Sequence, residues 1–412
     1  MLRSMFTAVS SLNLHQSYLD VVANNLANAN TTGYKSSRVL FHDQYSQLIS
    51  PGAGPSTSLG GINPTQIGLG VKLGFISSDF TQGMLESTGR TLDLAIQGDG
   101  FFVYDQGASR RYSREGSLSL DSDGVVVNSG TGLKVQGWMV QSDGSVDTNL
   151  PPAQIEIDTD KAVAAATSKV IFGGNLNSAT EVGKSVTTTM GVYDSLGVLH
   201  TAEITFSRTS ETDWDWSVTK INDTAVAPAD SNGSGTIAFT EGQNPVITGA
   251  DSVTIPGSDG AEATVSINFD LSSLTMLSMN DGVTVTSQDG LPAGNVTGLY
   301  ITPNDGTVFL VFSNGYRQQI AQLALARFSN PTGLISSGDT MFKQGLNSGD
   351  PELGTANTGG RGTITSGYLE ASNVDMAREF TNMILAQRGF QASSRVITTS
   401  DEIMQELVNL KR

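Results

Sequence analysis

Residues 372–410 read SNVDMAREFTNMILAQRGFQASSRVITTSDEIMQELVNL. Within them Met376, Phe380, Met383, Gln387, Phe390, Ser394, Ile397, Asp401, Met404 and Val408 recur at alternating spacings of four and three. That is a heptad stripe on one face of a long helix, with Asn373 or Asp375 placed to cap its start. Gln387, Ser394 and Asp401 would weaken a dry two-stranded coil, although a polar seam position can also fix register.

The opposite end of the chain carries a matching pattern. Met5, Val9, Leu12, Gln16, Leu19, Ala23 and Leu26 alternate in the same way, predicting a helix from about Ser4 to about Ala29, ~40 Å long at 1.5 Å per residue. Asn28, Asn30, Thr31, Thr32 and then Gly33 stop it. The two stripes stand more than 340 residues apart in sequence, and each needs cover, from the other or from further copies of the chain.

Between the ends the pattern is β. Asp99-Gly100, Asp123-Gly124, Asp143-Gly144, Asp305-Gly306 and Asn314-Gly315 are tight-turn dipeptides flanked by β-branched or aromatic residues. The clearest hairpin is TVFLVFSNGYRQQIAQLALARF, in which Asn314-Gly315 is expected to supply the positive φ angles of a two-residue turn. Pro151-Pro152 mark a stiff exit from the first β block.

These signals predict a mixed, mainly β fold of discontinuous nested domains. Residues 1–30 with 370–412 form a coiled-coil inner domain. Residues 67–152 with 290–369 form a β-rich middle domain, and 153–289 an acidic β-rich outer insert. Residues 31–66, including SPGAGPSTSLGG, are expected to be an irregular connection without regular structure.

Composition narrows the function. The 412 residues are 38% hydrophobic and 15% charged, with 46 glycines, which describes a folded, turn-rich protein. Of the net charge of −17, residues 151–289 carry −13. An acidic surface of that kind repels phosphate backbones and anionic headgroups, so neither nucleic acid nor membrane is an expected partner. There is no cysteine, which removes disulfides and thiol chemistry. No apolar run is long enough to span a bilayer. The N-terminal residues do not read as a cleavable secretory signal, since Thr7, Ser10, Ser11 and Asn13 interrupt the apolar stretch.

Chemistry-bearing motifs are sparse. His15, His42 and His200 have no metal-ligand spacing. GLGVKLG at 68–74 has the wrong glycine spacing for a dinucleotide loop. Asp121-Ser122-Asp123-Gly124 opens like a calcium loop but lacks the later ligands, so a hairpin turn is expected. Arg110, Arg111 and Arg114 suggest an ion pair across strands or between copies. No catalytic, cofactor or metal site is expected.

The run ANNLANANTTGYK at 23–35 closely resembles the signature of the axial proteins of the bacterial flagellar rod and hook. Residues 372–410 resemble the family's C-terminal helix, and LDLAIQGDGFF at 92–102 an internal motif. Asn24, Asn25, Leu26, Asn28, Asn30, Gly33, Tyr34 and Lys35 match the signature, and Gln387 and Arg388 the C-terminal run. The resemblance implies that Gly33 makes the helix-ending turn, that the asparagines bond backbone between subunits, and that Gln387 and Arg388 are interfacial.

It further implies a self-assembling structural subunit, exported through the flagellum's own type III channel without a cleaved signal. Copies of itself, rod proteins, a cap protein and hook-filament junction proteins would be its partners. Shorter rod members of the family lack a large outer insert, so the acidic block points to the hook branch, a flexible tubular joint that transmits torque. An elongated distal rod subunit is the alternative in the family. A β-rich surface adhesin or a secreted glycan-degrading enzyme are the alternatives outside it.

Overall fold

The computed structural model describes residues 2–55, 57, 59–107, 109–141, 143–222, 224–225, 233–240, 244–249, 252–258, 260–262 and 264–409. Two helices stand at the ends, α1 (Leu2–Ala27) and α2 (Met376–Asn409). The Asp375 carboxylate caps α2 by accepting from the N–H groups of Ala377 and Arg378 at 3.0 and 3.2 Å. Asn373 is used elsewhere. The Asn28 side chain turns back to donate to Asn24 O at 2.9 Å, so α1 ends two residues earlier than expected.

The chain divides into two compact units. The first comprises Met1–Ile157, Leu299–Phe309 and Gln319–Arg412, and so holds both helices and the first β block together. Its sheet places strand Phe101–Asp105 between Arg110–Ser113 and Lys134–Met139, with Met341–Lys343 beyond Arg110–Ser113. One face buries Phe101, Val103, Tyr112, Trp138, Phe328 and Phe342, with Phe101 edge to face on Phe342 and Tyr112 on Phe328. Two short ribbons, Leu94–Gln97 with Thr363–Ser366 and Leu85–Ser87 with Tyr368–Glu370, carry the chain back toward α2.

The expectation of an irregular 31–66 fails. Ser37–Asp43 pairs antiparallel with Val71–Ser78, and Ser46–Ser50 pairs with Thr65–Gly68. The partner strands lie beyond the Pro- and Gly-rich turn region, so no local signal marked the pairing. The Phe41 ring meets His15 and Tyr18 of α1 edge-on at 6.3 and 5.7 Å, which holds the ribbon along the helix.

The second unit, Asp158–Gly298 with Leu310–Gln318, begins five residues later and ends nine later than the predicted insert, and it also takes the hairpin tip at 310–318. There Gly315 alone has a positive φ, 81°, and Phe312 N–H donates to Tyr316 O at 3.0 Å. The turn is therefore closed by one glycine rather than by the Asn-Gly pair. Two sheets enclose a core of Phe172, Ile204, Phe206, Trp214, Trp216 and Phe269. The strict alternation in DWDWSVTKI, 213–221, sends Trp214, Trp216 and Val218 inward.

Candidate assembly surface of the terminal helices

Three contacts fix how α1 meets α2. Ser11 Oγ and Ser393 Oγ are 3.0 Å apart, Asn25 Nδ2 donates to Glu379 Oε2 at 3.4 Å, and Gly389 lies so close to His15 that a Cβ there would collide with the ring. All three pairs share one register, so the helices run antiparallel. The inward residues of α2, Ala386, Gly389, Ser393 and Ser400, are small, while α1 buries Ala8, Leu14, Val22 and Asn25 and part-buries Ser11 and His15.

The predicted stripes lie one residue C-terminal to this seam on both helices, about 100° round the axis. On α1, Met5, Leu12, Leu19 and Leu26 are half-buried and Val9 is exposed. On α2, Met383, Phe390 and Ile397 are half-buried, whereas Met376, Phe380, Met404 and Val408 are exposed, as are Gln387 and Arg388. A second apolar row flanks the seam on the other side, with Leu385, Val396 and Ile403 all exposed. The remaining face of α2 carries Thr381, Arg388, Arg395, Glu402 and Glu406, interrupted by Ile384. The narrow seam is closed by small residues, which lets the backbones approach and turns the large apolar side chains outward. The heptad of alanine, glycine and serine at 386, 389, 393 and 400 was the available signal for it.

Part of the signature run is engaged within the chain. Asn25 Nδ2 donates to Ser37 O at 2.7 Å, and Ser37 N–H donates to Asn25 Oδ1 at 2.9 Å. Tyr34 Oη donates to Asn25 Oδ1 at 3.1 Å, and Asn24 Nδ2 to Tyr34 Oη at 3.2 Å. Gly33 has φ +70° and lies against the Arg114-Glu115 backbone, where a Cβ would be 2.7 Å from Glu115 N. It makes a separate turn six residues after α1, not the turn that ends the helix. Asn25, Gly33, Tyr34 and Lys35 are therefore committed within the chain, and Asn24 and Asn30 are the exposed asparagines of the run.

Beneath this run lies a buried ionic knot. Lys35 Nζ donates to Glu370 Oε1 and to Thr81 O, both at 2.7 Å, and Gly83 N–H donates to the same carboxylate oxygen at 2.8 Å. Arg114 Nη1 is 3.5 Å from Glu370 Oε2, with its guanidinium 5.3 Å from the centre of the Phe101 ring. The Lys35 and Glu370 side chains are fully shielded from water. Burial pulls the Lys35 ammonium below its ordinary value, and the Glu370 charge offsets only part of that. Burial likewise lowers Arg114, against the pull of Glu370. Burial, reinforced by Glu379, raises the Tyr18 and Tyr34 phenols. Glu370 was absent from the sequence-derived candidates because its partners are 335 and 256 residues away.

The other chemical candidates resolve into structure. Asp194 is buried, and although burial opposes its charge, hydrogen bonds from Ser258, Val198 and His200 hold the carboxylate far below its usual range. The order is Ser258 to Asp194 to His200, with Asp194 in the middle. The His200 ring nitrogens face Asp194 Oδ2 at 3.2 Å and Asn222 Nδ2 at 2.8 Å, and among the described residues no serine hydroxyl bonds to them. Asp121–Gly124 is a turn, with Gly124 N–H donating to Asp121 O at 3.1 Å. Arg111 donates to Gln106 and Ser337. Among the described residues no group of three or more His, Asp or Glu could hold a metal ion, and no helix is long and apolar enough to cross a membrane.

A helix pair made from the two chain ends, with bulky apolar flanks turned outward, is the mark of an axial class of protein built to pack against further copies. Four families match along the chain: flagella basal body rod protein at residues 5–35, the flagellar hook protein FlgE/F/G D1 domain at 95–171, the flagellar basal body protein FlaE D2 domain at 174–291, and the flagellar basal body rod FlgEFG protein C-terminal region at 365–410. The flagellar hook protein FlgE of Borreliella burgdorferi is 35% identical over all of both chains, and that of Salmonella typhimurium is 36% identical over 99% of this chain and 100% of the relative. The flagellar basal-body rod protein FlgG of Bacillus subtilis is 30% identical over all of both chains. The Helicobacter pylori flagellar hook protein FlgE2 shares the fold, with a TM-score of 0.53 and 15% identity over 69% of this chain and 100% of that one. The chain belongs to the flagellar hook protein FlgE family, whose members are structural proteins of the flagellum.

Proposed function

We propose that this chain is the subunit of the flagellar hook, polymerising into a tube that carries torque from rod to filament and encloses the export channel. The observation that carries the reading is the arrangement on α2. One face is closed by α1, two flanks of large apolar side chains stand exposed, and the fourth face is polar. A helix with two bare flanks suits a ring in which each copy has a neighbour on either side, and the polar face suits a water-filled lumen. The helix pair is then the inner domain, with the β-rich middle and acidic outer domains outside it. Rod, cap and junction proteins and the type III export apparatus are its partners, and it leaves the cell without a cleaved signal. It is not an enzyme.

The distal rod is the second reading. The full-length match to a rod protein means that length does not discriminate between the two, and the FlaE D2 domain match together with the hook relatives supports the hook. Deleting the gene distinguishes them: hookless basal bodies with complete rods are expected, and truncated rods would select the alternative. For the surface itself, purified protein should form tubes visible by electron microscopy. Phe380→Ser with Leu385→Ser, at positions 51% and 59% exposed, should keep the monomer's melting profile and abolish the tubes. Tubes of normal yield from that variant would remove the basis of the reading.

A further inference from the structure

Of the three clustered arginines, Arg114 enters the buried knot and Arg111 binds Gln106 and Ser337, which leaves Arg110. Arg110 opens its strand directly opposite Asp105, and Asp105 stands opposite Lys134 on the next strand. Two residues further along, Gln136 faces Gln154 of the short strand Ala153–Gln154. Side chains at paired positions point to one side of a sheet, so these residues form the polar end of the face that buries Phe101, Val103, Tyr112 and Trp138. A cleft of about 450 Å³ opens there, walled by Asp105, Ser109, Arg110, Gln136, Pro152 and Gln154. Its donors are unspent. Asp105 turns its Oδ1 back to accept from Gly107 N–H at 2.9 Å instead of pairing with Arg110, and Lys134 is held by Gln154 Oε1 at 2.7 Å. Among the described residues Arg110 has no hydrogen-bond or ion-pair partner. Neither end of the Gln136 amide is bonded, although Gln136 is only 4% exposed and its Nε2 is buried. Either orientation of that amide leaves a buried polar atom unpaired, which is destabilising, so nothing holds it against turning its N–H groups into the cleft.

We infer that this cleft binds a carboxylate, with the Arg110 guanidinium forking its two oxygens and the Gln136 amide donating to one of them. Charge selects the class. Arg110 and Lys134 against Asp105 give the cleft one net positive charge in a chain of net charge −17. That suits a monoanion, whereas a phosphate or sulfate dianion would face the Asp105 carboxylate with its second charge uncompensated. A planar guanidinium also matches the planar carboxylate better than a tetrahedral anion of the same charge. The volume exceeds what a bare carboxylate fills and admits the carbon chain that bears it, whether a free acid or the side chain of another copy.

Acetate is the probe, added to the full-length monomer at neutral pH with chloride at equal ionic strength as the reference. Acetate should raise the melting temperature of the helix-bearing unit along a saturating curve, by roughly 3–6 °C at ten times the midpoint concentration. Sulfate should give no saturating component. Arg110→Gln should keep the monomer's circular dichroism and lose the acetate response. Gln136→Met, which replaces the amide by an apolar chain of similar size, should melt higher than wild type without acetate and also lose the response. A lower melting temperature for Gln136→Met would show the amide to be paired inside the fold and would overturn the inference. A wild-type acetate response no larger than that of Arg110→Gln would overturn it equally. Assembly separates the two sources of the carboxylate, and this arm alone rests on the tube reading. If an Asp or Glu of another copy fills the cleft, acetate should raise the critical concentration of wild type severalfold, toward the already raised value of Arg110→Gln. A free acid as the occupant leaves the critical concentration of both proteins unchanged.

Discussion

Replacing Glu370 by glutamine changes one oxygen to an amide and removes the anion that Lys35 and Arg114 share. Both cations are at least 97% shielded at the side chain, and the carboxylate also accepts from Gly83 N–H. A buried ion stripped of its partner costs about 3–5 kcal/mol. Two cations are stranded here, which places the expectation at the upper part of that range. For a unit of this size 1 kcal/mol moves the melting temperature by roughly 2–4 °C, so the helix-bearing unit should melt about 10–20 °C lower by calorimetry. The Asp158–Gly298 unit takes no part in the knot, so in a Trp138→Phe background, where only Trp214 and Trp216 in its core remain to report, tryptophan fluorescence should show an unchanged transition. Adding Lys35→Met removes one stranded cation and should restore part of the loss, giving a coupling energy above about 1 kcal/mol in a double-mutant cycle. A Glu370→Gln loss below about 1 kcal/mol would refute the claim that this knot holds the ends of α1 and α2 to the β body.

Gly33→Ala forces a Cβ onto the Glu115 backbone at a positive φ, and a loss of about 1–3 kcal/mol is expected in chemical denaturation. Ala386→Leu puts a large side chain into the small-residue seam at a position 1% exposed. Overpacking should cost about 1–3 kcal/mol and lower the tube yield, and a stabilised variant would show that the helices are not in close contact. The buried Tyr104 phenol donates to Glu115 O at 2.5 Å, and burial raises its pKa far above its ordinary value of 10.0. A raised pKa contributes stability that is fully present below pH ~10 and is lost as pH rises beyond it. Tyr104→Phe should therefore flatten the alkaline fall in melting temperature. Asp194 has the opposite sign: its depressed pKa contributes stability above its ordinary value of 3.8 that is lost as pH falls below it. Asp194→Asn should accordingly be less stable than wild type at neutral pH and lose less on acidification.

The helices could be read from sequence because a 3.6-residue period is local. The face of each helix that meets the other was less legible. Periodicity marks the largest apolar side chains, and here Phe380 and Met376 point away from the intramolecular partner while Ser393 and Gly389 meet it. Strand Ser37–Asp43 was missed because its partner begins at Val71, beyond a segment of turn residues. The Lys35–Glu370 pair lay beyond sequence reasoning for the same cause, since charge pairing across 335 positions leaves no spacing to detect. The signature run announced a family but not its use: Asn25 and Lys35 tie the chain to itself, which composition and spacing cannot express.

The pairing of α1 with α2 also makes the molecule a test of its own completeness. The surface offered to neighbours exists only when residues near 11 and residues near 393 are both present and have found each other across the whole length of the chain. A chain cut short at either end lacks one of the two helices and cannot display both flanks on a supported helix. If copies join through those flanks, as proposed above, such a fragment should stay in solution while whole molecules enter the polymer.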